Sequence, residues 1–129
     1  MPLKKITEAQ RSWVKKTIEK WRPRLFLGEW HIDIEFPKGE LPGGAIANCT
    51  SSATYMEATI RISAEFWKEP KDKWEHIVVH ELSHCVTSYV SYMLSSTLKG
   101  ELHAENSIDF QIEQLTQRIA NIAYQQEWK

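Results

Sequence analysis

His80-Glu81-Leu82-Ser83-His84 sets two imidazoles four positions apart, with a carboxylate beside the first. On a helix, residues four apart stand one above the other on one face, so both rings can reach a single metal ion. This is the spacing at which a histidine pair binds Zn²⁺ and the adjacent glutamate works as a general base. Neutral imidazoles reach zinc at about 2.0–2.1 Å. A catalytic zinc keeps three protein ligands and one position for water, whose pKa falls from about 15.7 toward 7. Glu81 would accept that proton and later pass it to a leaving amine. The bland alternative is a helix with two histidines hydrogen-bonded in the core, but burying both rings beside Glu81 without a cation is costly.

A third ligand must come from elsewhere in the chain. After the motif the helix runs on to about Ser95, turns near Lys99-Gly100, and a second helix returns antiparallel. Folding that hairpin about residue 99 sets His80 and His84 opposite residues 113–118. Glu113 lies at the edge of this window and at the border of an apolar stripe, and is the preferred ligand. Glu105 is the next choice, although it sits near the turn, over ~10 Å from the level of Glu113 along the same helix. Asp109 and His103 stand behind them. Any one of these carboxylates could instead belong to a solvated helix face. His76, one turn before His80, would make a third collinear helical donor, which strains the geometry of one ion; a supporting or solvent role suits it better. Tyr89, Tyr92 and His103 are candidates by location alone for stabilising an oxyanion.

The elements that must position these groups are legible in outline. Thr7 to Arg22 reads as a helix: Thr7 and Gln10 have capping-box spacing, and Trp13, Val14, Ile18 and Trp21 recur at helical intervals. Pro23 stops it. Trp30 to Phe36 alternates strictly, with Trp30, Ile32, Ile34 and Phe36 on one face and His31, Asp33 and Glu35 on the other, which predicts a half-buried strand with His31 toward solvent. Pro37 to Gly44 is a loop. Ala45–Ser51 is a weaker strand and Thr54–Ile62 a stronger one. Ser63–Trp67 fits a single helical turn. A long helix starts near Lys71 and is apolar over a wide arc, from Trp74 through Leu82 and Cys85 to Met93, as expected of a central helix. From about Ala104 to Tyr124 a last helix carries Ile108, Ile112, Leu115, Ile119 and Ile122, predicted to be its packing stripe. Trp13, Trp21, Trp30 and Trp74 fit core positions. Trp128 could dock the tail, or cover the cleft and hold the protein latent.

Bulk properties bound the remaining choices. The 129 residues favour one domain over 1–129. Lys and Arg number 16 against 17 Asp and Glu, for a net charge of −1, so no basic excess points to nucleic acid. No segment has the length of a membrane span, and the first residues lack the apolar core of a signal peptide. Cys49 and Cys85 are too few for a disulfide scaffold, and Cys85 is expected to pack as a small apolar residue. A cytoplasmic, reduced protein is the simplest expectation, with its oligomeric state open.

These residues together give the chain a family likeness. It resembles the small phage and prokaryotic zinc metallopeptidases of the zincin group, with a gluzincin-type glutamate as third ligand. The likeness covers most of the chain: Trp30–Ile34 as opening strand, Tyr55–Ile62 before the motif helix, His80–His84, and Glu113-Gln114-Leu115-Thr116-Gln117-Arg118-Ile119 as the glutamate-bearing helix. It implies His80, His84 and Glu113 as zinc ligands, Glu81 as catalytic base, and a peptide or protein substrate. The gap from His84 to Glu113 is longer than in many gluzincins. In zincins a substrate lies along an edge strand, and the Tyr55–Ile62 strand is the candidate if it is exposed.

The expected fold class is α+β and zincin-like: an N-terminal helix, a small mixed or antiparallel sheet of about three strands, a motif helix and a C-terminal helix. The expected function is zinc-dependent peptide-bond hydrolysis. One rival is a zinc-binding but non-catalytic module that recognises a protein or peptide strand. Another is a metal-free helical interaction domain. The glutamate at position 81 favours catalysis, since a structural zinc has no use for a base and usually takes four protein ligands.

Overall fold

The structure, a computed structural model, describes residues 6–97 and 102–125, without the side chains of 89, 93–97 and 102–109. Helix α1 spans Glu8–Trp21 and opens with the expected capping box: Thr7 Oγ1 accepts from the Gln10 amide at 3.1 Å, and Gln10 Oε1 accepts from the Thr7 amide at 2.9 Å. Its buried face is Val14, Thr17, Ile18 and Trp21. Past Pro23 the chain turns back, pinned by Arg22, whose Nη2 donates to the Trp30 carbonyl at 2.6 Å.

Strands β1 (His31–Glu35), β2 (Ala47–Ser52) and β3 (Glu57–Ile62) form one mixed sheet in the order β1-β3-β2. β1 runs parallel to β3 and β2 antiparallel to it. β2 and β3 are a hairpin whose turn uses Met56 in the left-handed region (φ 52°). β3 is therefore the central strand, with its backbone paired on both sides. The condition on which Tyr55–Ile62 could receive a substrate, an exposed edge, is therefore not met, and it is an ordinary strand with a neighbour on both sides: the edges are β1 and β2, and β2 is the one packed on the motif helix. The polar face of the sheet carries His31, exposed as expected and 3.1 Å from Asp33.

Helix α2 spans Lys71–Thr97, and α3 spans Leu102–Gln125 as its antiparallel partner. The core lies between the inner sheet face and the two helices flanking it. Ile60 and Ile62 from β3, Val14, Ile18 and Trp21 from α1, and Val78, Val79, Leu82 and Cys85 from α2 are all buried there. Burying such a side chain stabilises by roughly 1.5–3 kcal/mol. Trp67 joins Phe66, Trp74 and Trp13 in an aromatic cluster, meeting Phe66 and Trp74 edge-on at 4.8 and 5.0 Å. Phe66 and Trp67 belong to a 3-10 turn at Ala64–Lys68, where one helical turn was expected.

α3 buries only part of the stripe its periodicity suggests, with Ile112 and Ile119 half-buried. Thr116, Ala120 and Ala123 face inward, whereas Leu115 and Ile122 are 38% and 61% exposed. Small residues let α3 lie close against α2, and that turns Leu115 and Ile122 outward. The Ile108 side chain and Trp128 lie outside what the structure describes. Among the described residues no helix is long and apolar enough to cross a membrane.

Candidate metal centre

α2 is continuous through the motif, so His80 and His84 stack on one face, their rings 5.0 Å apart and nearly perpendicular. α3 brings Glu113 to the same point. Its Oε1 lies 2.9 Å from His80 Nε2 and its Oε2 lies 3.4 Å from His84 Nε2. One donor atom from each of the three residues falls within 4.8 Å of the others, an arrangement that could hold a metal ion. Ligands at 2.0–2.1 Å on a tetrahedral ion sit about 3.3 Å from one another, so the cluster needs only small side-chain adjustments to fit one. Glu113 was the preferred third ligand, and the structure brings it to the histidines. Glu105, Asp109 and His103 have side chains outside the described residues.

The electrostatics suit ligation. Burial, set against the Glu113 charge and aided by His80, moves His84 below its ordinary pKa, and neutral imidazole is the form that binds metal. Ligation through Nε2 leaves the ring proton of His80 on Nδ1. That atom is buried with no hydrogen-bond partner among the described residues. A carbonyl or carboxylate commonly receives such a proton, and His80 lacks one among the described residues. Glu81 is buried on the same helix. Burial, with the Glu113 charge adding to it, pushes its carboxyl up to about 8.

Sequence reasoning missed the pair that sets the hairpin register. Thr87 and Thr116 are buried and their hydroxyls are 2.8 Å apart. Thr116 donates to the Ile112 carbonyl at 2.8 Å, and the Thr87 hydroxyl also lies 3.3 Å from the His84 carbonyl and 3.4 Å from that of Ser83. Each threonine follows a candidate ligand by three residues, Thr87 after His84 and Thr116 after Glu113, so the contact lies beside the one between the ligands. That offset was readable in the chain, but the meeting of the two hydroxyls was not. Thr116→Val is expected to cost about 0.5–1.5 kcal/mol in urea denaturation by removing the bond between the two hydroxyls, since Thr87 keeps its backbone acceptors, while Thr116→Ser restores most of it. Equal midpoints for all three proteins would show that the pair holds nothing.

His76 is not a ligand. Its Nε2 lies 2.8 Å from Asn121 Oδ1 and its ring stacks on Tyr124 at 4.9 Å, which ties α2 to α3 one turn away from the ion site. Tyr92 is 61% exposed and lines a cavity beside His84, while the Tyr89 and His103 side chains are outside the described residues. Cys85 is fully buried and its sulfur lies 4.0 Å from that of Cys49; both are free thiols.

Cavities open on both sides of the histidine pair. One of about 350 Å³ begins at His80 and runs toward the start of α2. The other, about 410 Å³, lies between His84 and the β2 end of the sheet, with Cys49, Ser51 and Ser52 in its wall. The chain matches no protein-family model, no curated protein and no solved structure.

Proposed function

We propose that the chain is a zinc-dependent hydrolase of peptide bonds with a zincin-like fold. The observation that carries this reading is the convergence of His80, His84 and Glu113 on one point, beside the buried carboxylate of Glu81. Two imidazole nitrogens and a carboxylate oxygen suit zinc and leave a coordination position open. When bound, zinc supplies Lewis acidity that polarises a carbonyl oxygen and acidifies water.

The protein groups do the rest. Glu81 takes a proton from the attacking water as its oxygen bonds to the carbonyl carbon. It then delivers that proton to the amine nitrogen as the C–N bond breaks. β2 is the edge strand beside the His84 cavity, and it takes the role first expected of Tyr55–Ile62. A peptide added along its free edge would gain main-chain hydrogen bonds and present a carbonyl to the ion site.

The test is to reconstitute the protein with zinc, count zinc by elemental mass spectrometry and screen a quenched-fluorescent peptide library. The expected result is about one zinc per chain and cleavage that stops on chelation. One zinc with no cleavage anywhere in the library would favour the recognition module. No zinc would leave a metal-free helical domain.

A further inference from the structure

The cavity that starts at His80 has walls the reaction above does not use. Lys73, His76, Ile77 and His80 lie at successive turns of one face of α2, and Gln117 of α3 closes the opposite side. His76 is immobilised by Asn121 and Tyr124, and Gln117 donates to Asn121 Oδ1 at 2.7 Å, so this wall is set by the helix pair. Ile77 gives it an apolar floor. Among the described residues no carboxylate lines it. The nearby acid Glu75 is engaged elsewhere, accepting from Lys20 at 2.8 Å and from the Trp21 indole at 2.9 Å. Glu113 is committed to the histidines. Lys73, by contrast, makes no ion pair among the described residues and is exposed at the rim.

From this we infer that the cavity between Lys73 and His80 is a substrate subsite for a carboxylate, with the Lys73 ammonium as its counter-charge. The inference rests on the peptidase reading and adds a substrate class to it. Seven residues of helix separate Lys73 from His80, about 10 Å of rise. An extended peptide covers ~3.3–3.6 Å per residue, so the carboxylate sits two to three residues from the bond that is cut. It is either an Asp or Glu side chain or the α-carboxylate of a chain terminus. The two share one chemistry and differ in whether the peptide continues past the cavity.

The subsite can be read by binding, without turnover. The probes are peptide hydroxamates, which anchor on zinc, each with an arm of two to three residues. One arm carries a glutamate and an amidated end, one a free terminal carboxylate, one a neutral amide and one a lysine amide. Affinities are measured on the zinc-loaded native protein and on Lys73→Glu and Lys73→Gln. Position 73 lies in the first turn of α2, where an added carboxylate suits the helix dipole, so folding is not at risk. For a pair at an exposed rim, the native protein is expected to prefer a carboxylate arm about fivefold over the neutral one. Lys73→Gln should flatten the preference and Lys73→Glu should turn it toward the lysine arm. The better of the two acidic arms identifies side chain or terminus.

Equal affinity for all arms, or a preference unchanged in Lys73→Glu, overturns the subsite. Peptides matched to each arm are assayed for cleavage in parallel. Cleavage without charge preference removes the subsite and keeps the peptidase. A charge preference without cleavage keeps the subsite and removes the peptidase. Failure of every hydroxamate to bind removes both.

Discussion

Replacing Glu81 with Gln is expected to lower peptide hydrolysis by about 10²–10⁴-fold, the usual worth of a positioned general base, with zinc content unchanged. The same substitution is expected to stabilise the metal-free protein at alkaline pH. Burial first, and the Glu113 charge second, push the Glu81 carboxyl from 4.5 up to about 8. A carboxyl whose folded pKa lies above its unfolded value holds its proton more tightly in the folded state. Below pH 4.5 both states are protonated and the group costs nothing. Between 4.5 and 8 only the unfolded chain ionises, so stability falls as pH rises, and above 8 the full cost is present. Gln is neutral throughout. The gap in unfolding free energy between Glu81→Gln and the native protein should therefore widen from near zero at pH 4 to a few kcal/mol at pH 8.5. Urea titrations of the chelated proteins at the two pH values measure it, and a constant gap would mean that the carboxyl is better solvated than its burial indicates. A cation on the histidines reverses the local field and favours the ionised form, which is the form a base requires. On the proposed reading the same carboxyl would be a cost to the empty chain and a working group in the loaded one.

Glu113→Ala should weaken zinc binding by more than the 10–100-fold that changes outside the ligand set produce. Chelator competition gives the constant directly. Thermal denaturation gives it again, because an ion that binds only the folded chain stabilises by about 2.7 kcal/mol at a concentration one hundred times its Kd, and the variant should lose that increment at equal zinc. Glu113→Asp draws the carboxylate back by one methylene and should fall between the two. Glu105→Ala is the control that decides the assignment. If Glu105→Ala releases the ion and Glu113→Ala does not, the third ligand is Glu105 and the contact between Glu113 and the histidines is an ordinary ion pair.

The local features of the chain were the legible ones. The capping box at Thr7, the alternation of Trp30–Phe36 and the spacing of His80 and His84 each depend on neighbours within a few residues, and each appears where expected. The opposition of Glu113 to the histidines was also readable, because an antiparallel hairpin about a known turn fixes its own register. Three features were not. Which strand lies in the middle of a sheet is set by long-range pairing, and β1 pairs directly with β3, leaving β2, the next strand in sequence, on the far side. Periodicity shows which face of α3 is apolar, but closeness of approach selected Thr116, Ala120 and Ala123 instead. Lys73 carries no signal in sequence because an ammonium on a helix is ordinary until a cavity opens beside it.

The three candidate ligands are unequally anchored. His80 and His84 come as a unit with α2, whose face is buried against the sheet, whereas Glu113 is 55% exposed on a helix resting on small side chains. An ion held here would leave by a stepwise route. The carboxylate lets go first as α3 lifts, and the histidine pair keeps its grip until solvent or a competing ligand takes the freed position. The rate of metal exchange would then follow how often α3 lifts from α2, and a change that tightens the hairpin would lengthen residence time more than it deepens the equilibrium.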